Sequence, residues 1–272
     1  MIVLDGIPAE QLGMYVLKDY VDPSIPATRD SSVVIPGRHG EIDFGAYLGK
    51  REFNFPIVLI PQGSYYEALN KTDELKKILI DPYGRPRTFK LIVSDKPDRY
   101  YNARYSGTLP INDLIKNRFF TLPLTAFDPH AYSIVDSTQS IYWGDDIPFM
   151  SDIPFLLEDS KTLVTSPTSI EITNPGSLVV RPKMVIFGNA ENFALTINGE
   201  RFFVGNFTQS TITIDAEYYT AIRVRGASQS NILFNLQGDL EKLQLFPGLN
   251  TIQVAGDNMN VTVDLQLRAK YI

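Results

Sequence analysis

The chain has 272 residues, no cysteine, two histidines and a net charge of −6 from 25 basic and 31 acidic side chains. Zero cysteine excludes disulfide staples, thiolate catalysis and Cys-ligated metal centres, and the acidic balance argues against holding nucleic acid by counterion release. Hydrophobic residues at 44% and charged residues at 21% are the proportions of a globular protein.

Met1-Ile2-Val3-Leu4 runs directly into Asp5-Gly6, with no basic stretch and no apolar run of signal-peptide length. No segment approaches the roughly 20 apolar residues of a membrane helix. Ser31–Val34 and Glu52–Ile60 read as strands, separated by the turn-forming cluster Pro36-Gly37-Arg38-His39-Gly40. In the second, Phe53, Phe55, Ile57 and Leu59 alternate with Asn54, Pro56, Val58 and Ile60, so its later part is expected to be buried on both faces. A helix is predicted over 64–80. Ser64 and Glu67 make a capping box, and Tyr65, Leu69, Thr72, Leu75 and Leu79 fall on one face with Asp73, Lys76 and Lys77 elsewhere. Asp81-Pro82 stops it, and its apolar face should cover a sheet.

Further strands are expected at Thr88–Val93, Tyr100–Leu109 and Arg118–Ala126, with Pro123 placing the last at an edge or a bulge. Composition then shifts. No Lys or Arg occurs between Arg118 and Lys161, whereas Asp145, Asp146, Asp152, Glu158, Pro148 and Pro154 do. Residues 1–135 carry 16 basic and 16 acidic side chains, and 136–272 carry 9 and 15, which supplies the whole −6. A first domain over 1–135, an acidic connecting segment over 136–165 and a second domain over 166–272 follow.

The second domain reads as short strands: Ser169–Thr173, Lys183–Phe187, Phe193–Ile197, Glu200–Val204, Thr211–Asp215, Ala221–Arg225, Asn231–Leu236, Glu241–Leu245, Thr251–Val254 and Val261–Tyr271. Asn198-Gly199 between two of them predicts a type I′ hairpin. The fold class is mainly β, an N-terminal β domain with one inserted helix followed by an antiparallel β-sandwich or jelly roll.

Chemistry-bearing motifs are scarce. His39 and His130 have no histidine at ligand spacing, no nucleotide-binding or hydrolase motif occurs, and no carboxylate pair stands apart from loop acids. The reading is therefore no enzyme, no catalytic residue, no cofactor and no metal. Trp143 and Tyr142 beside Asp145 and Asp146 could stack on a sugar, which leaves a carbohydrate-binding sandwich as the alternative function. Arg99, Tyr100, Tyr101, Arg104 and Tyr105 interleave charge with aromatic rings, which in a neutral domain suits an edge or subunit contact.

Several segments, in order, resemble the distal tail proteins of siphophages. These are Ile35-Pro36-Gly37-Arg38-His39-Gly40-Glu41-Ile42-Asp43-Phe44-Gly45, Lys50-Arg51-Glu52-Phe53, Tyr83-Gly84-Arg85-Pro86 and Asp98-Arg99-Tyr100-Tyr101-Asn102-Ala103-Arg104. Phe127-Asp128-Pro129-His130-Ala131-Tyr132-Ser133, Asn174-Pro175-Gly176 with Arg181-Pro182-Lys183, and Phe246-Pro247-Gly248-Leu249-Asn250-Thr251-Ile252 complete the set. His130 departs from the family's pattern, which often has an apolar or aromatic residue there. The resemblance implies a structural virion protein at the tail tip, made in the host cytoplasm and not inserted in a membrane. Its first domain would form a hexameric ring, and its second would be a galectin-like sandwich. The ring would join the tail tube protein to the tip-forming, host-adsorption protein and pass DNA without binding it. Arg38, His39, Arg51, Arg99, Tyr101 and Tyr105 are the expected ring and partner contacts.

Overall fold

The computed structural model describes residues 1–18, 20, 24–60, 64–109, 119–137 and 161–272. The chain divides into two compact units, Met1–Ala131 with Ile272, and Tyr132–Tyr271. The expected connecting segment lies mostly outside the described residues, as do Trp143, Tyr142 and the acidic cluster around Asp145.

The first unit contains β1 (Ile2–Leu4), β2 (Ile7–Pro8), β3 (Met14–Val16), β4 (Thr28–Val34), β5 (Glu41–Leu48) and β6 (Arg51–Leu59). These are followed by α1 (Tyr65–Leu79), β7 (Thr88–Val93), β8 (Arg99–Tyr105) and β9 (Phe119–Ala126). Its sheet runs in the order β2-β1-β7-β8-β9-β6-β3, while β4 and β5 pair only with each other. Period-two alternation builds the core, with Phe53, Phe55, Ile57, Phe89, Leu91, Leu122 and Leu124 all buried. Helix α1 starts where the sequence places it. Ser64 Oγ accepts from the Glu67 N–H at 3.2 Å, and the Glu67 carboxylate accepts from the Ser64 N–H at 3.2 Å. Leu75, Ile78 and Leu79 are buried while Asp73, Lys76 and Lys77 face solvent; the Tyr65 side chain lies outside the described residues. Ser64→Ala is expected to lower stability by about 1 kcal/mol, read as a shift in the urea midpoint.

Two expectations for this unit are corrected. Strand β9 is not an edge; it lies between β8 and β6. Pro123 is tolerated because a residue's N and C=O point to the same side of a strand. The Pro123 carbonyl accepts from Ser106 at 3.3 Å, just past the last β8–β9 pair, Tyr105↔Leu124, so its missing donor falls where the ladder has ended. Pro56 repeats the device on β6, its carbonyl accepting from Leu17 at 2.9 Å beyond the Val16↔Ile57 pair. The end of β6 is also not buried on both faces, since Pro56 and Val58 are half-buried and Ile60 is exposed.

From Tyr132 on, the second unit holds the rest of β10 (Ala131–Ser133), then β11 (Lys161–Val164), β12 (Thr168–Asn174), β13 (Lys183–Ile197), β14 (Glu200–Asp215), β15 (Thr220–Arg225), β16 (Ser228–Asn231), β17 (Gly248–Gln266) and β18 (Lys270–Tyr271). The sheet order is β11-β17-β13-β14-β15-β16, with β12 also on β17. Asn198 at φ 50° and Gly199 at φ 84° form the expected hairpin turn.

The strands it joins are far longer than expected. Lys183–Phe187 and Phe193–Ile197 are one strand, as are Glu200–Val204 and Thr211–Asp215, and Thr251–Val254 continues into Val261–Gln266. Strands β13 and β17 switch their buried parity midway: Met184 and Ile186 against Phe193, Leu195 and Ile197 in β13; Ile252 and Val254 against Met259, Val261, Val263 and Leu265 in β17; in β14 only Phe207 breaks the parity of Phe202, Ile212 and Ile214. β-Bulges make the switch. Each strand carries one non-glycine residue at positive φ there, Asn192 (51°), Gln209 (44°) and Asn258 (48°). Side chains tie these points together. The Asn192 N–H donates to Asn206 Oδ1 at 2.7 Å, Asn192 Nδ2 to Asp257 Oδ2 at 3.0 Å, and the Gln209 N–H to Asn189 Oδ1 at 2.6 Å. Both halves of each strand thereby contribute to one core, in which the Phe193 and Phe207 rings meet edge-on at 5.5 Å.

Two predicted strands are turns instead. After Asn231 the chain folds back, with the Leu233 N–H on Asn231 Oδ1 at 2.9 Å and the Leu236 N–H on Ile232 O at 3.0 Å. Within Glu241–Leu245, Leu240–Lys242 is a single 3₁₀ turn capped by Asp239, which accepts from the Glu241 N–H at 3.0 Å. The segment entering this unit is stitched to its last strands. Arg268 donates to Ser133 O at 2.7 Å, Ile134 O at 3.3 Å and Asp136 Oδ2 at 2.7 Å, and Leu267 N–H donates to Ser137 Oγ at 2.8 Å.

Candidate assembly surfaces

Among the described residues no group of three or more His, Asp or Glu side chains is arranged to hold a metal ion, and no helix is long and apolar enough to cross a membrane.

The segment carrying the Ile35–Gly45 motif is the β4–β5 hairpin. All seven residues of β4 are exposed, and in β5 only Ile42 and Leu48 are half-buried. Pro36-Gly37 turns the chain, with Gly37 at φ 83°, and the tip presents Arg38 and His39 to solvent. Ser32 Oγ donates to the Glu41 carboxylate across the strands, and the Gly45 N–H donates to Asp43 Oδ1 at 2.8 Å. At its root lies an open groove of about 830 Å³, walled by Pro26, Thr28, Lys50, Asn54, Pro56 and Thr121 among others.

The other expected contact residues divide. Arg51, only 2% exposed, donates from Nε to Pro129 O at 3.2 Å and from Nη2 to Ser24 O at 3.3 Å, with its guanidinium 5.1 Å from the centre of the buried Tyr101 ring. Arg51 and Tyr101 therefore hold an interior corner. That corner is the Asp128-Pro129-His130 segment, where Asp128 Oδ1 accepts from the His130 N–H at 3.2 Å and lies 2.6 Å from His130 Nδ1. Arg99 is half-buried beside Asp98 at 3.4 Å. Tyr105, at the end of β8, is half-buried, and desolvation pushes its phenol above the ordinary value. A phenol held neutral in this way supports folding below its unfolded pKa, and the contribution is lost as pH rises through the folded value. Trp143 and Tyr142, the expected sugar platform, lie outside the described residues.

The later motifs are turn architecture. Asn174, 1% exposed, donates from Nδ2 to Leu178 O at 2.9 Å and Leu245 O at 3.1 Å while accepting the Gly176 N–H at 2.9 Å. Asn250, 2% exposed, accepts the Phe246 N–H at 2.8 Å and donates to Phe246 O at 2.7 Å and Gly248 O at 2.9 Å. A motif search flags both asparagines; only the fold shows that their amides close Pro-Gly turns.

Residues 7–126 match the model of the phage tail protein RIFT-related domain family. Across 100% of this chain and 98% of its own, the crystal structure of the Dit protein of phage SPP1 is similar, with a TM-score of 0.65 at 16% identity; that structure is described as a paradigm of the hub adsorption apparatus in phages infecting Gram-positive hosts. A structure of the phage P2 baseplate in its activated conformation with Ca covers 94% of this chain and 90% of its own, at a TM-score of 0.39 and 10% identity. No curated protein matches the sequence. Residues 7–126 thus resemble a phage tail protein RIFT-related domain, and the whole chain shares its fold with the Dit protein of phage SPP1.

Proposed function

We propose that this protein is a structural hub of a siphophage tail tip. Six copies form a ring that joins the tail tube to the host-adsorption apparatus, and DNA passes through its channel without being bound. The observation that carries the reading is the match of residues 7–126 to the RIFT-related tail domain within a fold shared end to end with a phage hub protein. The hub's work is mechanical joining rather than turnover, and its partners are its own copies, the tube protein and the tip-forming protein. A heterologous interface closes into a ring when its rotation fits. Arg38 and His39 at the hairpin tip, with Arg99 and Tyr105, are the proposed contact residues; Arg51 and Tyr101 act from inside by fixing the corner at Pro129.

Light scattering and negative-stain images of the purified protein, alone and with tube protein, test this. The expected result is a ring with the mass of six chains. A particle that stays monomeric in both conditions overturns it.

A further inference from the structure

The outward face of the first unit's sheet, where β7 runs beside β8, holds two cations without a counter-charge. In β7, Thr88 and Lys90 are exposed while Phe89 and Leu91 are buried; in β8, Asn102 and Arg104 are exposed on either side of the buried Ala103. Register sets Thr88 opposite Arg104 and Lys90 opposite Asn102, so the four side chains form one block on one side of the sheet. Lys90 and Arg104 occupy a diagonal of that block, which spaces their strand positions by about 7–8 Å.

Each of these cations rests on a ring rather than on an acid. Lys90 Nζ lies 4.7 Å from the centre of the Tyr100 ring, and Arg104 Cζ lies 4.1 Å from that of Phe127. The acids that flank the block are already matched. Asp5, whose N–H donates to Lys90 O, pairs with Arg87 at 2.6 Å. Glu52, which faces Arg104 across Thr125, pairs with Lys50 at 2.5 Å. Among the described residues no carboxylate pairs with Lys90 or Arg104. Residues 1–135 balance 16 basic against 16 acidic side chains, yet this block keeps a local positive excess. Cations already seated on rings are oriented before a partner arrives, which lowers the ordering cost of binding.

We infer that the Lys90–Arg104 block docks an extended acidic segment of another tail protein, one with carboxylates at alternate positions. The inference rests on the hub reading above for the set of partners and adds the chemistry that one of them must present. Alternate side chains of an extended segment leave on one side, about 7 Å apart, which matches the diagonal between the two cations. Asn102 and Thr88 fill the other corners with neutral donors for the carbonyls of such a segment. A phosphate backbone fits less well. Two cations release only about two counterions, too few to hold nucleic acid at physiological salt, and both rings face a cation instead of offering a platform for bases. Opposite charges brought together on an exposed face act mainly on encounter and on salt dependence, so the docking should weaken as salt rises.

The full chain is tested by biolayer interferometry against the tube protein and the tip-forming protein, in about 50 and about 300 mM NaCl. The wild type is expected to bind one of them, less tightly in the higher salt. Lys90→Glu with Arg104→Glu should bind that protein about tenfold more weakly in the lower salt, whereas Lys90→Arg with Arg104→Lys, which keeps both charges, should stay within about twofold of the wild type. Should the reversed variant show a lowered urea midpoint, Lys90→Gln with Arg104→Gln takes its place. A reversed variant that binds as well as the wild type overturns the docking while the hub reading stands. So does a folded reversed variant that no longer forms rings, since the occupant would then be a second copy. Retention of a labelled single-stranded oligonucleotide at physiological salt by the wild type, and not by the reversed variant, overturns it in favour of nucleic acid. A wild type that binds neither protein removes the hub reading as well.

Discussion

Gly188→Val is expected to abolish the cooperative unfolding transition of the second unit. A Cβ on Gly188 would sit 2.0 Å from the Asn260 carbonyl oxygen and 3.0 Å from the Val261 Cα. Both are backbone atoms of the neighbouring β17, so no side-chain rotation relieves the clash. The backbone at φ 138° is itself one that side chains rarely adopt. Gly188 lies where β13 shifts register against both neighbours, just before its buried parity switches. Moving β17 away would displace Met259, Val261 and Val263 from the core. The expected loss is about 4–5 kcal/mol or more, the range reached when strain and repacking combine. Far-UV circular dichroism and urea titration measure it; a valine variant with the parent midpoint would show that the sheet separates freely here.

The second large effect is expected in the first unit. Arg51→Met keeps most of the side-chain volume but removes the donors to Pro129 O and Ser24 O. The buried Pro129 carbonyl left without a partner costs about 1–3 kcal/mol, whereas the exposed Ser24 can turn to water, so the variant should lose about 1–3 kcal/mol by urea titration. Arg51→Lys should recover only part of this, because an ammonium cannot serve two carbonyls along a planar fork or lie flat over Tyr101. The neighbouring Lys50 is the contrast. Its bond to Glu52 is short at 2.5 Å, but both side chains are more than half exposed, so Lys50→Ala should change stability by no more than about 0.5 kcal/mol. Equal losses at 50 and 51 would refute the account of the interior guanidinium.

What was legible in the sequence was whatever is decided locally. Ser64 and Glu67 cap a helix with atoms three residues apart, and Asn198-Gly199 sets a turn with two φ angles, so both are found where expected. The mainly β class follows from alternation along each strand. The misses come from residues that look like punctuation and are not. The breaks between the short strands ending at Phe187 and Val254 and those starting at Phe193 and Val261 are bulges, where Gly188 and Asn258 take positive φ and the register of one continuous strand shifts, and only the pairing partner reveals the difference. Pro123 reads as an edge marker because nothing in its neighbourhood tells that the adjoining ladder ends one residue earlier. Strand β5, with Gly45 within it, and the short strands before Thr28 lack a clear alternation and are visible only through their partners.

For the candidate surfaces the limit is the same. Arg38 and Arg51 belong to one motif-rich stretch and have the same chemistry, and burial separates them: one is at a solvent-facing tip, the other is the pin of a corner 78 residues away in sequence. The resemblance to siphophage distal tail proteins draws on both segments without saying which side chains point inward.

The stitching of residues 133–137 to 265–269 has a consequence for load. The backbone enters and leaves the second unit at a common seam, where Arg268 and Ser137 clamp the two stretches side by side. The Asn198-Gly199 turn lies at the opposite end of the long strands, since Lys183 pairs with Gln266 and Ile197 with Ile252. Tension carried along the chain would spend itself on the clamp before reaching the sandwich, leaving the distant turn slack and free to lengthen without disturbing how the unit is fastened.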